Sequence, residues 1–197
     1  MRSVRGFDCM DLALTWLPGL APKVADDAHD GKGDRWFTPA YIGKSIVEIL
    51  GDKWIDPCGD PASPVTATAA HWLDYRKGFD GLTCPWPDGP AFVNPPYSNA
   101  SAWIARCAQE AKTRQVVALV PLRPEGKAWH AHVWPCAKVV IPAGRLRFVG
   151  ADGQTHGSAM IGTAFVCWQV DAHALSFSLA RNGLQCVVVG QLSPLPW

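Results

Sequence analysis

The chain has little charge. Asp, Glu, Lys and Arg make up 18% of its 197 residues and nearly cancel, leaving a formal net charge of +1. The usual charged share is about a quarter. This balance argues against tight, indiscriminate nucleic-acid binding through a general basic excess, but leaves room for a local basic face. Paired cysteines are also missing. The seven cysteines, Cys9, Cys58, Cys84, Cys107, Cys136, Cys167 and Cys186, are odd in number, and no two stand in C-x-x-C spacing. That pattern points to reduced thiols in a cytoplasmic protein, not to a disulfide framework or a zinc site. His130 and His132 lack a nearby set of Cys or carboxylate partners, so no metal is expected. No apolar run is long enough to span a bilayer. Arg2 and Arg5 precede a Leu-rich stretch, as in a secretory leader. Asp8 and Asp11 interrupt it, however, and Pro18-Gly19 breaks the run Leu12–Leu20, so a short helix or ordered arm is expected instead.

Tryptophan, proline and glycine are plentiful: ten Trp, 17 Pro and 18 Gly. Together they imply a loop-rich fold with aromatic packing. The length suits one domain with a real core. Residues 1–33 read as an arm and a polar, glycine-bearing lead-in, and residues 34–197 as the domain. Within it, Thr38 is a plausible N-cap with Pro39 at the first helical position. Ile42, Ile46, Val47, Ile49 and Leu50 form that helix's apolar face, and Gly51 ends it. Strands are expected at Lys53–Asp56, Val116–Val120, Lys138–Ile141, Phe165–Trp168 and Cys186–Val189. Helices are expected over Ala62–Leu73, kept short by Pro64, and Trp103–Lys112. The alternation argues for an α/β fold. Only 38 residues separate Asp56 from Asn94. Two full parallel crossovers would be cramped there, so the central region should be trimmed, with short or irregular pieces around Leu73 and Phe79.

The most informative stretch is Ala91-Phe92-Val93 followed by Asn94-Pro95-Pro96-Tyr97-Ser98. A short buried strand delivers an acceptor-rich loop. The Asn94 side-chain oxygen and the Pro95 carbonyl can both accept from one planar amino group, and Tyr97 can stack on the flat group carrying it. Two prolines fix φ near −65° and remove backbone donors, so the loop is stiff. This suits methyl transfer to a planar nitrogen such as an exocyclic base amine. A second loop, Asp56-Pro57-Cys58-Gly59-Asp60-Pro61, follows a strand at its carboxyl end, where ligands sit in open α/β sheets.

Taken in order, Trp36-x-Thr38-Pro39, Ile55-Asp56-Pro57-Cys58, Asp80-Gly81-Leu82 with Trp86, Asn94-Pro95-Pro96-Tyr97-Ser98 and Gly144-Arg145-Leu146-Arg147-Phe148 resemble the phage-type DNA N6-adenine methyltransferases. The resemblance covers roughly residues 34–168. It implies a Rossmann-like S-adenosylmethionine-dependent methyltransferase fold, S-adenosylmethionine as donor, and adenine of DNA as acceptor, flipped or single-stranded. On that reading Asn94, Pro95, Pro96 and Tyr97 are catalytic. Trp36, Thr38, Pro39, Asp56, Pro57, Cys58 and Asp80 hold the donor. The chain departs from the common methyltransferase pattern in lacking an F-x-G-x-G string near Asp56.

Several residues carry two readings. Asp56 either binds the donor's amino-acid part or caps the following turn. Asp80 matches the family position for the donor's adenine or ribose, and Asp74, after Trp72-Leu73, is its rival. Arg145 and Arg147 would share one face of a strand. With Arg123, Lys127 and Lys138 they form a phosphate-binding patch or simply a solvated face. Trp129 and Trp134 read as packing residues. The same acceptor chemistry also serves RNA, cytosine N4 or a protein glutamine amide. An inactive methyltransferase-fold module that binds nucleic acid is the reading outside enzymes. With no large insertion for target recognition, sequence preference should be short, read by segments 122–136 and 145–158.

Overall fold

A computed structural model describes residues 36–74, 77–150, 154–158 and 161–190. The arm expected over 1–33 lies outside them. In chain order the elements are α1 (Ala40–Leu50), β1 (Ile55–Asp56), β2 (His71–Trp72), β3 (Ala91–Val93), α2 (Ala100–Glu110), β4 (Val116–Pro121) and α3 (Lys127–His132). Then follow β5 (Lys138–Pro142), β6 (Arg147–Val149), β7 (Thr155–Ser158), β8 (Thr163–Trp168), α4 (Ala172–Arg181) and β9 (Cys186–Val189). Seven strands form one sheet in the order β2-β1-β3-β4-β8-β5-β9, and β6 and β7 form a separate pair. The first four run parallel. β8 lies antiparallel between β4 and β5, and β9 is antiparallel to β5.

Strands β4 and β8 are apolar along nearly their whole length and buried throughout. A strand without a polar face has to be covered on both sides. Val117 and Leu119 of β4 join one core cluster with Ile42 and Ile46 of α1 and Leu175 and Leu179 of α4. Val116, Ala118 and Val120 join another with Trp103, Ile104 and Cys107 of α2 and Trp129 of α3. The period-2 alternation of side chains therefore splits the core into two layers, with the sheet between them. Trp129 and Trp134 do pack, as expected, with ring centroids 5.3 Å apart. Helices α1 and α4 are tied by Glu48, which accepts from Ser178 Oγ at 2.5 Å and from Arg181 at 2.6 Å. No helix among the described residues is long and apolar enough to cross a membrane.

Two local expectations are corrected. The cap position of α1 is Pro39, with no side-chain cap bond, and Thr38 is instead buried ahead of it. Gly51 ends the helix as expected, with φ 78° and its N–H on the Val47 carbonyl at 2.9 Å. No α-helix forms over Ala62–Leu73. Only the 3₁₀ turn Thr66–Thr68 appears, followed by the two-residue β2. Ser63 accepts from the Thr66 N–H at 3.3 Å, a donor that a helix from Ala62 would send to the Ala62 carbonyl, and Asp60 holds the turn before it by accepting from the Ala62 N–H at 2.9 Å. Such local bonds compete with helix, and β-branched residues weaken it further. The described part of the interval between β1 and β3 thus contains no α-helix, only the 3₁₀ turn and the two-residue β2 among its named elements.

The carboxyl ends of β1, β3, β4 and β5 lie along one rim of the sheet, since β5 shares the direction of β4 through its antiparallel neighbour β8. The loops that follow these strands are therefore brought together, and they contain most of the residues singled out above. Their placement depends on α1 being seated. Ile46 is fully buried in its cluster. Its replacement by Ala should cost about 2–5 kcal/mol, read as a lower denaturant midpoint at unchanged slope.

Candidate active site

Strand β3 is three residues long and wholly buried, and it ends at Asn94. The Asn94 amide donates from Nδ2 to the Trp36 backbone carbonyl at 3.0 Å. A carbonyl can only accept, so this bond fixes which way the amide faces and leaves Oδ1 as the free acceptor. No backbone N–H of a described residue reaches the Pro95 carbonyl. Two acceptors therefore stand together on a loop stiffened by Pro95 and Pro96. Tyr97 begins a 3₁₀ turn leading into α2. Its ring meets Phe148 edge-on, with centroids 6.1 Å apart and planes at 85°. The hydroxyl is buried without a partner, and burial pushes the phenol well above its ordinary pKa.

Three sequence blocks meet at this loop. Phe37 pairs with Val149 of β6 in both directions: its N–H donates to the Val149 carbonyl at 2.8 Å, and its carbonyl accepts from the Val149 N–H at 2.9 Å. Trp36, one residue earlier, supplies the carbonyl that holds Asn94. Thr38 and Pro39 are buried between this pair and α1, while the Trp36 side chain is exposed.

The second half of the rim is acidic. Asp56, at the end of β1, is buried. Its carboxylate accepts from Thr66 Oγ1 at 2.6 Å and from the Cys58 N–H at 3.0 Å. Both donors are neutral, and no ion pair with a described cation occurs. Burial raises its pKa to about 6 against those two bonds, and Asp60 nearby adds to the rise. Asp60 and Asp74 are buried on the same side, Asp74 just beyond β2. Asp80 is exposed, and its carboxylate accepts from the Leu82 N–H at 2.9 Å. The loop carrying it presses on the Asp56 turn: a Cβ on Gly81 would stand 2.2 Å from the Pro57 carbonyl and 2.7 Å from the Trp103 ring. Only glycine permits this approach. Trp86 Nε1 donates to the Gly81 carbonyl at 2.6 Å, and the Arg106 guanidinium lies over the Trp86 ring at 5.5 Å. The fold thus brings Asp56, Pro57, Cys58 and Asp80 together.

The basic residues divide. Arg123 and Lys127 follow β4, and Arg145 and Arg147 follow β5; all four are exposed on the rim side. Leu146 and Phe148 between and after the arginines are buried, so the expected alternation holds even though Arg145 precedes β6. Lys138 does not belong with them. It begins β5, paired in register with Cys167 at the opposite edge of the sheet, and it lies near Asp171, the α4 cap. Proximity in sequence misled here because β5 carries Lys138 away from the rim.

Two partners had no signal in the sequence: Thr66 reaches Asp56 across ten residues, and Val149, next to the Phe148 already marked by its block, reaches the acceptor loop through Phe37. A shallow cleft of about 320 Å³ between Asp88–Pro90 and Thr113–Gln115 lies at the amino ends of β3 and β4, away from all of these residues.

Asp56 has a measurable consequence. Its folded pKa, about 6, exceeds the ordinary 3.8. The folded chain therefore binds its proton more tightly than the unfolded chain. The associated stability is fully present below about pH 4 and is lost as pH rises through 6. At pH 8 the ionised group costs on the order of 3 kcal/mol. Asp56→Asn should melt above the wild type at pH 8, with the difference vanishing near pH 4. A difference that does not vary with pH would remove this account.

No curated protein matches the chain. A family model described as DNA N-6-adenine-methyltransferase (Dam) matches residues 26–180. That span includes the acceptor loop, the acidic rim, the Phe37–Val149 pair and all four exposed basic residues. The chain belongs to this family of enzymes, which methylate the N6 amino group of adenine in DNA with S-adenosylmethionine as donor.

Proposed function

We propose that Asn94, Pro95, Pro96 and Tyr97 form the acceptor loop of this adenine methyltransferase, and that Trp36, Thr38, Pro39, Asp56, Pro57, Cys58 and Asp80 hold the donor. The observation that carries the acceptor half is the fixed Asn94 amide, which leaves Oδ1 and the Pro95 carbonyl as paired acceptors. Adenine's amino nitrogen is a poor nucleophile because its lone pair is delocalised into the ring. Accepting both of its N–H bonds favours a more tetrahedral nitrogen and stabilises the positive charge that develops on it. This is electrostatic preorganisation together with positioning. No strong general base is needed.

The acidic rim fits the donor chemically. S-adenosylmethionine, when bound, supplies a methyl group activated by a positively charged sulfur, and it also carries an ammonium group. A buried carboxylate satisfied only by neutral donors, such as Asp56, is suited to the ammonium. Asp80, exposed next to the Gly81 that packs on Pro57, is suited to the adenosine. Asp74, buried just beyond β2, is its rival for that role. In this reading the fold is a Rossmann-like methyltransferase domain spanning 34–197, with a trimmed central region. Four parallel strands and a ligand rim at their carboxyl ends support that reading. The target base leaves the duplex, or is already single-stranded, to reach the loop.

Arg123, Lys127, Arg145 and Arg147 contact DNA phosphates, and segments 122–136 and 145–158 read a short target. Transfer of labelled methyl to unmethylated DNA, followed by nucleoside analysis, tests the acceptor assignment. Asn94→Ala should lower kcat by about 10²–10³-fold while donor affinity by calorimetry stays within a few-fold. Full activity in this variant would sink the assignment, and label in RNA or protein but not in DNA would reject DNA as the substrate. For the phosphate contacts, Arg145→Ala and Arg147→Ala should each reduce the slope of log affinity against log salt by about 1. An unchanged slope would return these residues to an ordinary solvated surface.

A further inference from the structure

We infer that β6 is a positioning element for the acceptor loop, acting on Tyr97 through Phe148 and on Asn94 through the backbone pair of Val149 with Phe37. The inference rests on the reading of Asn94 and Tyr97 as acceptor residues. Tyr97 makes no hydrogen bond through its buried hydroxyl. The orientation of its ring is therefore set by packing, and Phe148 is its ring partner among the described residues. Asn94 is oriented by a backbone carbonyl, that of Trp36. That carbonyl belongs to a segment anchored one residue later by two hydrogen bonds to Val149. Phe148 and Val149 are adjacent, so one three-residue strand fixes both side chains of the loop. A strand this short has few positions from which to hold a loop. β6 uses the side chain of one residue and the main chain of the next.

The same strand exposes Arg147 on its other face, with Phe148 buried behind it. A phosphate contact at Arg147 would therefore bear on the element that aims Tyr97 and Asn94. Positioning of this kind affects kcat more than donor binding, because a displacement of about 1 Å at a reacting pair can cost 10²-fold.

Two substitutions separate the two links. Phe148→Leu keeps an apolar side chain in the core but removes the ring edge against Tyr97. Val149→Pro removes the N–H that Phe37 accepts from, whereas Val149→Ala keeps it. Each is measured for kcat and KM on unmethylated DNA, donor affinity by calorimetry, and melting temperature, with Asn94→Ala alongside. Phe148→Leu and Val149→Pro should lower kcat at least about tenfold with donor affinity within about twofold, and Val149→Ala should stay near the wild type. Phe148→Leu placed on Tyr97→Ala should add no further loss, a non-additivity that a merely structural role would not produce. If Val149→Pro fails to fold, Phe148→Leu and its cycle with Tyr97 decide. Wild-type kcat in folded Phe148→Leu, or full additivity with Tyr97→Ala, while Asn94→Ala is inactive, overturns the inference and leaves the acceptor assignment intact. An active Asn94→Ala removes the assignment itself, and this inference with it.

Discussion

The rest of the structure depends on β4 being buried on both faces. It pairs in parallel with β3 on one side and antiparallel with β8 on the other, and the two core clusters meet across it. Burying an aliphatic side chain of Val or Leu size contributes about 1.5–3 kcal/mol. A strand such as β4 therefore fixes its register firmly, since a one-residue slip would exchange the two layers. That register sets how far β3 projects, and β3 consists of only three residues before Asn94. The stiffness of the acceptor loop is thus inherited from the middle of the sheet, and two prolines extend it into the loop.

Asp56 shows the opposite tendency. A carboxylate there is unfavourable for the folded chain at neutral pH, because burial outweighs the bonds from Thr66 and Cys58. An apolar residue of similar size would suit the core better. A buried anion held ready by neutral donors makes sense where a cationic ligand completes it, and then ligand binding recovers what folding gave up. The buried, unpartnered Tyr97 hydroxyl is a second cost of the same kind, about 1–3 kcal/mol. Both lie on the rim of the sheet where the strand ends converge.

The sequence made much of this legible where a signal was local. Asn94-Pro95-Pro96-Tyr97 marked its loop, the apolar runs marked β4, β5, β8 and β9, and Gly51 marked the end of α1. The signals that failed were contests between local and tertiary bonding. Ala62–Leu73 has helix-compatible residues, but Asp60 and Ser63 accept from its Ala62 and Thr66 N–H groups, and the chain makes a 3₁₀ turn and a strand. Thr38 has the chemistry of a cap, yet the helix starts one residue later and Thr38 is buried. Helices α3 and α4 were not anticipated: α3 is only six residues long, and the apolar residues of α4 are not confined to one face, since Phe177 is exposed while Leu175 and Leu179 are buried. Thr66 and Val149 were invisible as site partners because a hydrogen bond across ten residues or across two motifs leaves no periodicity. The antiparallel insertion of β8 was equally silent, since an apolar strand reads the same in either direction.

The near-zero net charge is compatible with a DNA substrate once the charges are sorted by what they do. Arg106 and Arg114 are engaged with Glu110 and with loop carbonyls, and Arg181 with Glu48. These cations hold the fold together and present little field to solvent. Lys138 lies at the far edge beside Asp171. Arg123, Lys127, Arg145 and Arg147 form no ion pair with a described carboxylate, and they stand on the connections after β4 and β5. Of the acids on the same rim, Asp56, Asp60 and Asp74 are buried, while Asp80 and Glu125 are exposed. Four exposed cations on the connections after β4 and β5 therefore outnumber the exposed rim carboxylates Asp80 and Glu125, although the whole chain sums to +1. The local arrangement decides encounter, because at physiological salt a charge is felt only within about 8 Å. On the proposed reading, a weakly charged chain of this kind meets DNA where the exposed cations of its rim reach the backbone, and selection falls to the loop proposed to receive the base.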